Sequence, residues 1–132
     1  MERPNTSDIN MPKKILIVDD EVYIRELLTL QILESIDCEI SEAENGLVAF
    51  ELCKTNQFNL ILCDYKMPIM DGLTFISSLK TQDNLNEITP IIVISSFVDS
   101  AKKAEFNFKN IQFMEKPIPM EVLTKKIASI IA

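Results

Sequence analysis

Histidine is absent from the 132-residue chain, and there are only two glycines and three cysteines. The cysteines, Cys38, Cys53 and Cys63, form no CxxC pair. With no imidazole beside them, a zinc site is excluded on ligand chemistry. Cys63 lies in an apolar run and Cys53 follows Leu52 in a helical pattern, so both read as small core hydrophobes. Unpaired thiols suit a cytoplasmic protein. Residues 1–14 contain no apolar stretch, so no signal peptide is expected. No apolar run is long enough to span a bilayer. Basic residues are outnumbered, 13 Lys and Arg against 20 Asp and Glu, for a net charge of −7. That balance gives no support for nucleic-acid binding, and it suits a cation or a basic partner. No internal repeat and no low-complexity segment is present.

What is there is a core. Hydrophobic residues make up 47% of the chain, and the length suits one domain. Residues 1–12 are polar and aperiodic and read as a flexible tail, which leaves 13–132 as the domain. Continuous apolar runs at 15–18, 60–63 and 91–94 read as strands covered on both faces. Weaker strands are expected at 38–41 and 111–114. Helical spacing falls between them. Ile24, Leu27, Leu28 and Gln31 mark the first helix, and Leu47, Phe50 and Cys53 the second. Leu73, Ile76 and Leu79 mark the third; Ala101, Ala104 and Phe108 suggest a fourth; Leu123, Ile127 and Ile130 mark the fifth. Asn45 and Asp71 are candidate N-caps, and Pro119 suits a first helical turn. Gly46 and Gly72 fall at loop–helix junctions. The pattern is an α/β fold of (βα)₅ type: a doubly wound, parallel, five-stranded sheet. Such sheets place their sites at the carboxyl ends of the strands.

Those ends carry a pattern. Asp19 and Asp20 follow the first strand and Asp64 ends the third. Ser95 and Ser96 end the fourth, and Glu115, Lys116 and Pro117 end the fifth. Three carboxylates at one edge repel one another and need neutralising. Mg²⁺, a hard cation that takes oxygen ligands and keeps some water, fits. Lys116 adds positive charge, and Ser95 offers a hydroxyl to an incoming oxyanion. Singly, each residue has an ordinary explanation: a helix cap for Asp19 or Asp20, a turn for Asp64, a satisfied hydroxyl for Ser95, a surface lysine for Lys116. The joint pattern on four successive strand ends is harder to explain that way.

The sequence resembles the receiver domains of two-component response regulators, and in length the single-domain chemotaxis regulator. The resemblance rests on Ile-Leu-Ile-Val-Asp-Asp-Glu at 15–21 and Ala-Glu-Asn-Gly-Leu-Val-Ala at 43–49. It rests equally on Asp-Tyr-Lys-Met-Pro-Ile-Met-Asp-Gly at 64–72 and on Lys116-Pro117. It implies a flavodoxin-like strand order 2-1-3-4-5. It implies that Asp64 accepts a phosphoryl group from a histidine kinase or a histidine phosphotransfer protein. Mg²⁺ would be held by Asp19, Asp20, Asp64 and the backbone carbonyl of Lys66. Ser95, Ser96 and Lys116 would bind the phosphoryl group. Ser95 and Phe113 would form the switch, acting on a downstream protein through the face of helix four, strand five and helix five. The Lys116–Pro117 bond would be cis.

Three departures from the family pattern stand out. Ser95 lacks the methyl of the commoner threonine. Residues 106–111 lack the usual Gly-Ala, which leaves the fourth helix undefined. Lys66 lies two residues past the acceptor, where its side chain can tune the phosphoryl lifetime. Lacking histidine, the chain is not itself the kinase. A haloacid-type phosphatase would need a second Asp two residues after the nucleophile, and Lys66 stands there. Two alternatives stay open: a receiver piece of a larger regulator or hybrid kinase, and a docking receiver that works without phosphorylation.

Overall fold

A computed structural model describes residues 11–132. The expected tail at 1–12 falls almost wholly outside the described residues. Five strands alternate with five helices. The strands are β1 (Lys13–Val18), β2 (Cys38–Ala43), β3 (Leu60–Asp64), β4 (Ile91–Ser95) and β5 (Ile111–Glu115). The helices are α1 (Val22–Ser35), α2 (Gly46–Thr55), α3 (Gly72–Lys80), α4 (Ser100–Glu105) and α5 (Met120–Ile131). All neighbouring strands are parallel, in the order β2-β1-β3-β4-β5 expected of a flavodoxin-like sheet. β3 and β4 are buried along their whole length, which is why they read as unbroken apolar runs.

Side chains alternate across the sheet and build two cores. Leu16, Val18, Ile61, Cys63 and Val93 pack under α2 and α3 with Phe75, Ile76 and Phe106. Ile15, Ile17, Leu62, Ile92 and Met114 pack under α1 and α5 with Leu28, Ile32, Leu123 and Ile127. Cys53 and Cys63 lie in the first core as small apolar side chains, and burial pushes both thiols well up.

Four helix expectations need correction. Leu27 is exposed, and the buried stripe of α1 runs through Leu28 and Ile32 instead. α1 is apolar on several sides, so spacing alone could not choose its inner face. Leu47 is likewise exposed, and Ala49 takes the buried position beside Cys53. α4 ends at Glu105, so Phe108 is no part of it and packs from the following turn. Pro119 is the N-cap of α5, one residue before its first turn.

The caps at Asn45 and Asp71 are as expected. Asn45 Oδ1 accepts from the Val48 N–H at 3.0 Å, and Asp71 Oδ1 from the Thr74 N–H at 2.8 Å. Both glycines answer to close approach rather than to unusual dihedrals. A Cβ on Gly46 would stand 2.7 Å from the Met70 carbonyl oxygen. One on Gly72 would strike the carbonyl oxygen of Asp64, so α3 can start against that residue only without a side chain.

Candidate functional site

The sheet brings the ends of β1, β3, β4 and β5 to one edge. Asp19 directly follows β1 and is buried, its backbone N–H bonded to the Ala43 carbonyl at 3.1 Å. Its Oδ1 accepts from the Glu21 N–H at 2.8 Å. Part of the ordinary helix-start explanation therefore holds for Asp19, although the N-cap residue itself is Glu21, whose side chain makes no capping bond. Asp20, next in the chain, turns to solvent. Asp64 closes β3 and is buried. Each of these three side chains offers a carboxylate oxygen, and the three oxygens all lie within 4.8 Å of one another.

One cation is in direct contact with them: Lys116 Nζ stands 3.3 Å from Asp64 Oδ1. Its position is fixed from β4, because the Lys116 N–H donates to the Ser95 carbonyl at 2.8 Å. The Lys116–Pro117 bond is cis, as the resemblance implied. Ser95 is buried and Ser96 exposed, and both line the same cleft as Asp20, Asp64, Lys66 and Lys116. Lys66 is exposed at its rim. Phe113 lies apart from the cleft, half-buried against the first core. Its ring meets Phe106 edge-on at 5.5 Å, and Phe106 meets Tyr65 at 5.6 Å. Aromatic contacts thus run from the neighbour of Asp64 to β5.

The cluster is only partly compensated, three carboxylates against one lysine in contact with them. Burial, with Asp64 and Asp20 adding repulsion, raises the Asp19 carboxyl from 3.8 to about 6, against the opposing Glu21 N–H and Lys116. Burial also raises Asp64, although Lys116 pulls it back. The chemistry of this donor set fits a small hard dication: three convergent carboxylates, two of them buried, with one lysine to balance them.

These shifts set a pH dependence. A carboxyl raised on folding favours the protonated state, so its contribution to stability is complete below about pH 4 and is lost as pH rises through about 6. In chelator, the melting temperature should therefore decline between pH 4 and 6.5 in a way that Asp19→Asn flattens. Added Mg²⁺ should raise the melting temperature more at pH 7 than at pH 5. Thermal denaturation of the two proteins measures this, and an equal decline in both would refute it.

Sequence reasoning passed over Lys102. This residue of α4 lines the cleft and donates from Nζ to Ser95 Oγ at 2.8 Å. It also passed over Ile69, whose φ of 70° is a strained value for a β-branched residue in the loop between Asp64 and α3.

The response regulator receiver domain profile matches residues 15–128. The chain belongs to this family. The receiver is 37% identical over 117 residues to the transcriptional regulatory protein SrrA of Staphylococcus aureus, covering 87% of this chain and 46% of that protein. It thus spans about half the length of the curated relatives it matches. Among solved structures, chemotaxis protein CheY4 of Vibrio cholerae superposes with a TM-score of 0.79 at 25% identity, over 90% of this chain and 98% of that one. The response regulator TrrA of Thermotoga maritima, solved in complex with Mg²⁺ and BeF, superposes at 0.77 with 26% identity, over 89% and 98%. The chain is therefore a two-component receiver domain of signalling type, with an acidic cluster at the family's phosphorylation site. With that cluster complete, a docking role without phosphorylation is not favoured. Among the described residues, no helix is long and apolar enough to cross a membrane.

Proposed function

We propose that residues 13–132 act as a phosphorylation switch whose acceptor is Asp64. The observation that carries this reading is the burial of Asp64 at the end of a central strand, grouped with Asp19 and Asp20 and touching Lys116. A carboxylate oxygen of Asp64 attacks the phosphorus of a phosphohistidine on a kinase or phosphotransfer partner. The P–N bond breaks, a P–O bond forms, and the imidazole leaves. Water later cleaves the acyl phosphate, assisted by the same residues. Asp19, Asp20, Asp64 and the Lys66 carbonyl would hold Mg²⁺, which when bound supplies positive charge to the transferring oxygens. Lys116, paired with Asp64, supplies further positive charge. Ser95 and Ser96 line the cleft where those oxygens would lie. Lys66 sits at the rim, where its ammonium can meet the phosphoryl group or hinder water. Free thiols in both cores suit a cytoplasmic location. Incubation with acetyl phosphate and Mg²⁺, followed by mapping of the modified residue, tests the assignment.

The downstream partner would dock on the face of α4, β5 and α5. Phosphorylation adds a dianion at the strand ends. Ser95 turns toward it, and Phe113 moves inward in a shift between two populations. The contacts from Tyr65 through Phe106 to Phe113 support this path. With beryllofluoride standing in for the phosphoryl group, amide resonances of 95–99 and 111–116 should shift more than those of α2. If α1 or α2 shifts most outside the cleft loops, the output face lies elsewhere and Phe113 is only core.

A further inference from the structure

The Lys102 ammonium contacts residues around the cleft, a 6.0 Å approach to the Phe97 ring among them. It donates to Ser95 Oγ at 2.8 Å and to the Phe97 carbonyl at 2.6 Å, and sits 4.3 Å from the centre of the Tyr65 ring. Ser95 ends β4, Phe97 lies in the loop after it, and Tyr65 follows Asp64. The backbone of Lys102 is itself fixed, because its N–H donates to the N-cap Asp99 Oδ1 at 2.8 Å. One turn on, Glu105 accepts from the Tyr65 hydroxyl at 3.1 Å, so α4 grips Tyr65 at two points. Opposite, the Val98 N–H donates to Glu115 Oε1 at 2.9 Å and ties the same loop to β5.

A serine hydroxyl has a single proton to donate and rotates freely unless something holds it. Here that proton is directed at the Phe97 carbonyl, 3.1 Å away, while Lys102 donates into a lone pair of the same oxygen. A phosphoryl oxygen on Asp64 would compete for that proton. With no methyl on its Cβ, Ser95 has no packing contact of the kind a threonine would use to set its rotamer. The lysine, with three donors on a flexible stem, supplies the short charged restraint, beside a longer bond of 3.4 Å from the Phe97 N–H to the same oxygen.

We propose that Lys102 is a positioning residue for Ser95. Its ammonium holds the hydroxyl and the 96–99 loop turned toward Phe97, and so opposes the turn of Ser95 to a phosphoryl group. This rests on the reading of Asp64 as acceptor and Ser95 as switch. Lys102 then sets the threshold of the switch: it makes the phosphoryl-bound arrangement harder to reach and ties that transition to α4.

Beryllofluoride affinity at saturating Mg²⁺, followed by NMR, tests this. Lys102→Met keeps an unbranched side chain of similar length and removes the ammonium. It should bind beryllofluoride about three- to tenfold more tightly, the range of an ordinary net hydrogen bond, because solvent reaches this half-exposed ammonium and offsets part of its charge. Lys102→Ala should change affinity in the same direction. In a Ser95→Ala background the gain from Lys102→Met should fall well below its value in the wild type, because only the Phe97 carbonyl remains to be held. A merely structural lysine would give the same change in both backgrounds, and that result would overturn the proposal. So would unchanged affinity, or weaker binding, which would make Lys102 a direct contact of the phosphoryl group. Failure of the wild-type protein to bind at all would overturn the acceptor reading, and this inference with it, and would be visible before any Lys102 variant is measured.

Discussion

Asp64→Asn should abolish labelling by acetyl phosphate and leave the fold intact. The amide keeps the shape of the carboxylate but is no longer a nucleophile toward phosphorus at neutral pH. Among the described residues, no other carboxylate combines the same features. Asp19 is buried, but its Oδ1 already accepts the Glu21 N–H, and Arg25 Nη1 donates to its carbonyl at 2.6 Å. Asp20 is solvent-facing and has no lysine within ion-pair distance among the described residues. Asp64 alone pairs with Lys116, which can take up charge as the acyl phosphate forms. Stability at pH 7 should hold or rise slightly in the variant. Burial and repulsion already disfavour the charged carboxylate, and the lost pair with a partly exposed lysine is worth only a little. Mass spectrometry after borohydride trapping of the acyl phosphate reads the outcome. Label retained in Asp64→Asn, on Asp20 or any other residue, would overturn the acceptor assignment.

The strands were legible because their physics is local. A segment buried on both faces must be apolar at every position, and 60–63 and 91–94 are. The strand-end residues followed from topology, since parallel strands in a doubly wound sheet all deliver their carboxyl ends to one edge. Where the reading slipped, the cause was a tertiary choice without a local signal. Leu27 and Leu28 are equally apolar, and only packing against the sheet selects Leu28. Phe108 stands at helical distance from Ala101 and Ala104, yet the chain leaves the helix at Phe106, which plugs the first core. Lys102 was invisible for a related reason. α4 has six residues, no buried positions and two adjacent lysines, and only the fold reveals which of the two turns inward to Ser95. Ile69 carries the left-handed conformation that a sequence reader would assign to glycine or asparagine. Asn86 also went unread. Its buried side chain accepts the Phe58 N–H at 2.8 Å and donates to the Cys53 and Asn56 carbonyls at 3.0 and 2.7 Å, tying the end of α2 to the loop before β4.

Asp20→Asn should separate metal binding from folding. Of the three clustered carboxylates, Asp20 is the one that faces solvent, so it can bind a hydrated ion without shedding a buried bond of its own. Mg²⁺ is held by one or two carboxylates and keeps several waters, so each carboxylate is a large share of the protein's contribution. Removing this one should raise the Mg²⁺ concentration needed for half-maximal phosphorylation by about 10- to 100-fold, a range that even outer-sphere partners of bound metals reach. Phosphorylation at limiting Mg²⁺ should fall accordingly and recover in part at high Mg²⁺. Stability should move the other way. Asp20 raises the carboxyls of both Asp19 and Asp64 by repulsion, so its neutralisation relieves a cost that the metal-free fold carries at pH 7. The chelator-treated variant should therefore melt at the same temperature as the wild type or above it. A destabilised Asp20→Asn would make Asp20 a structural residue at the start of α1. Normal phosphorylation at limiting Mg²⁺ would remove it from the ligand set and leave the metal to Asp19, Asp64 and the Lys66 carbonyl.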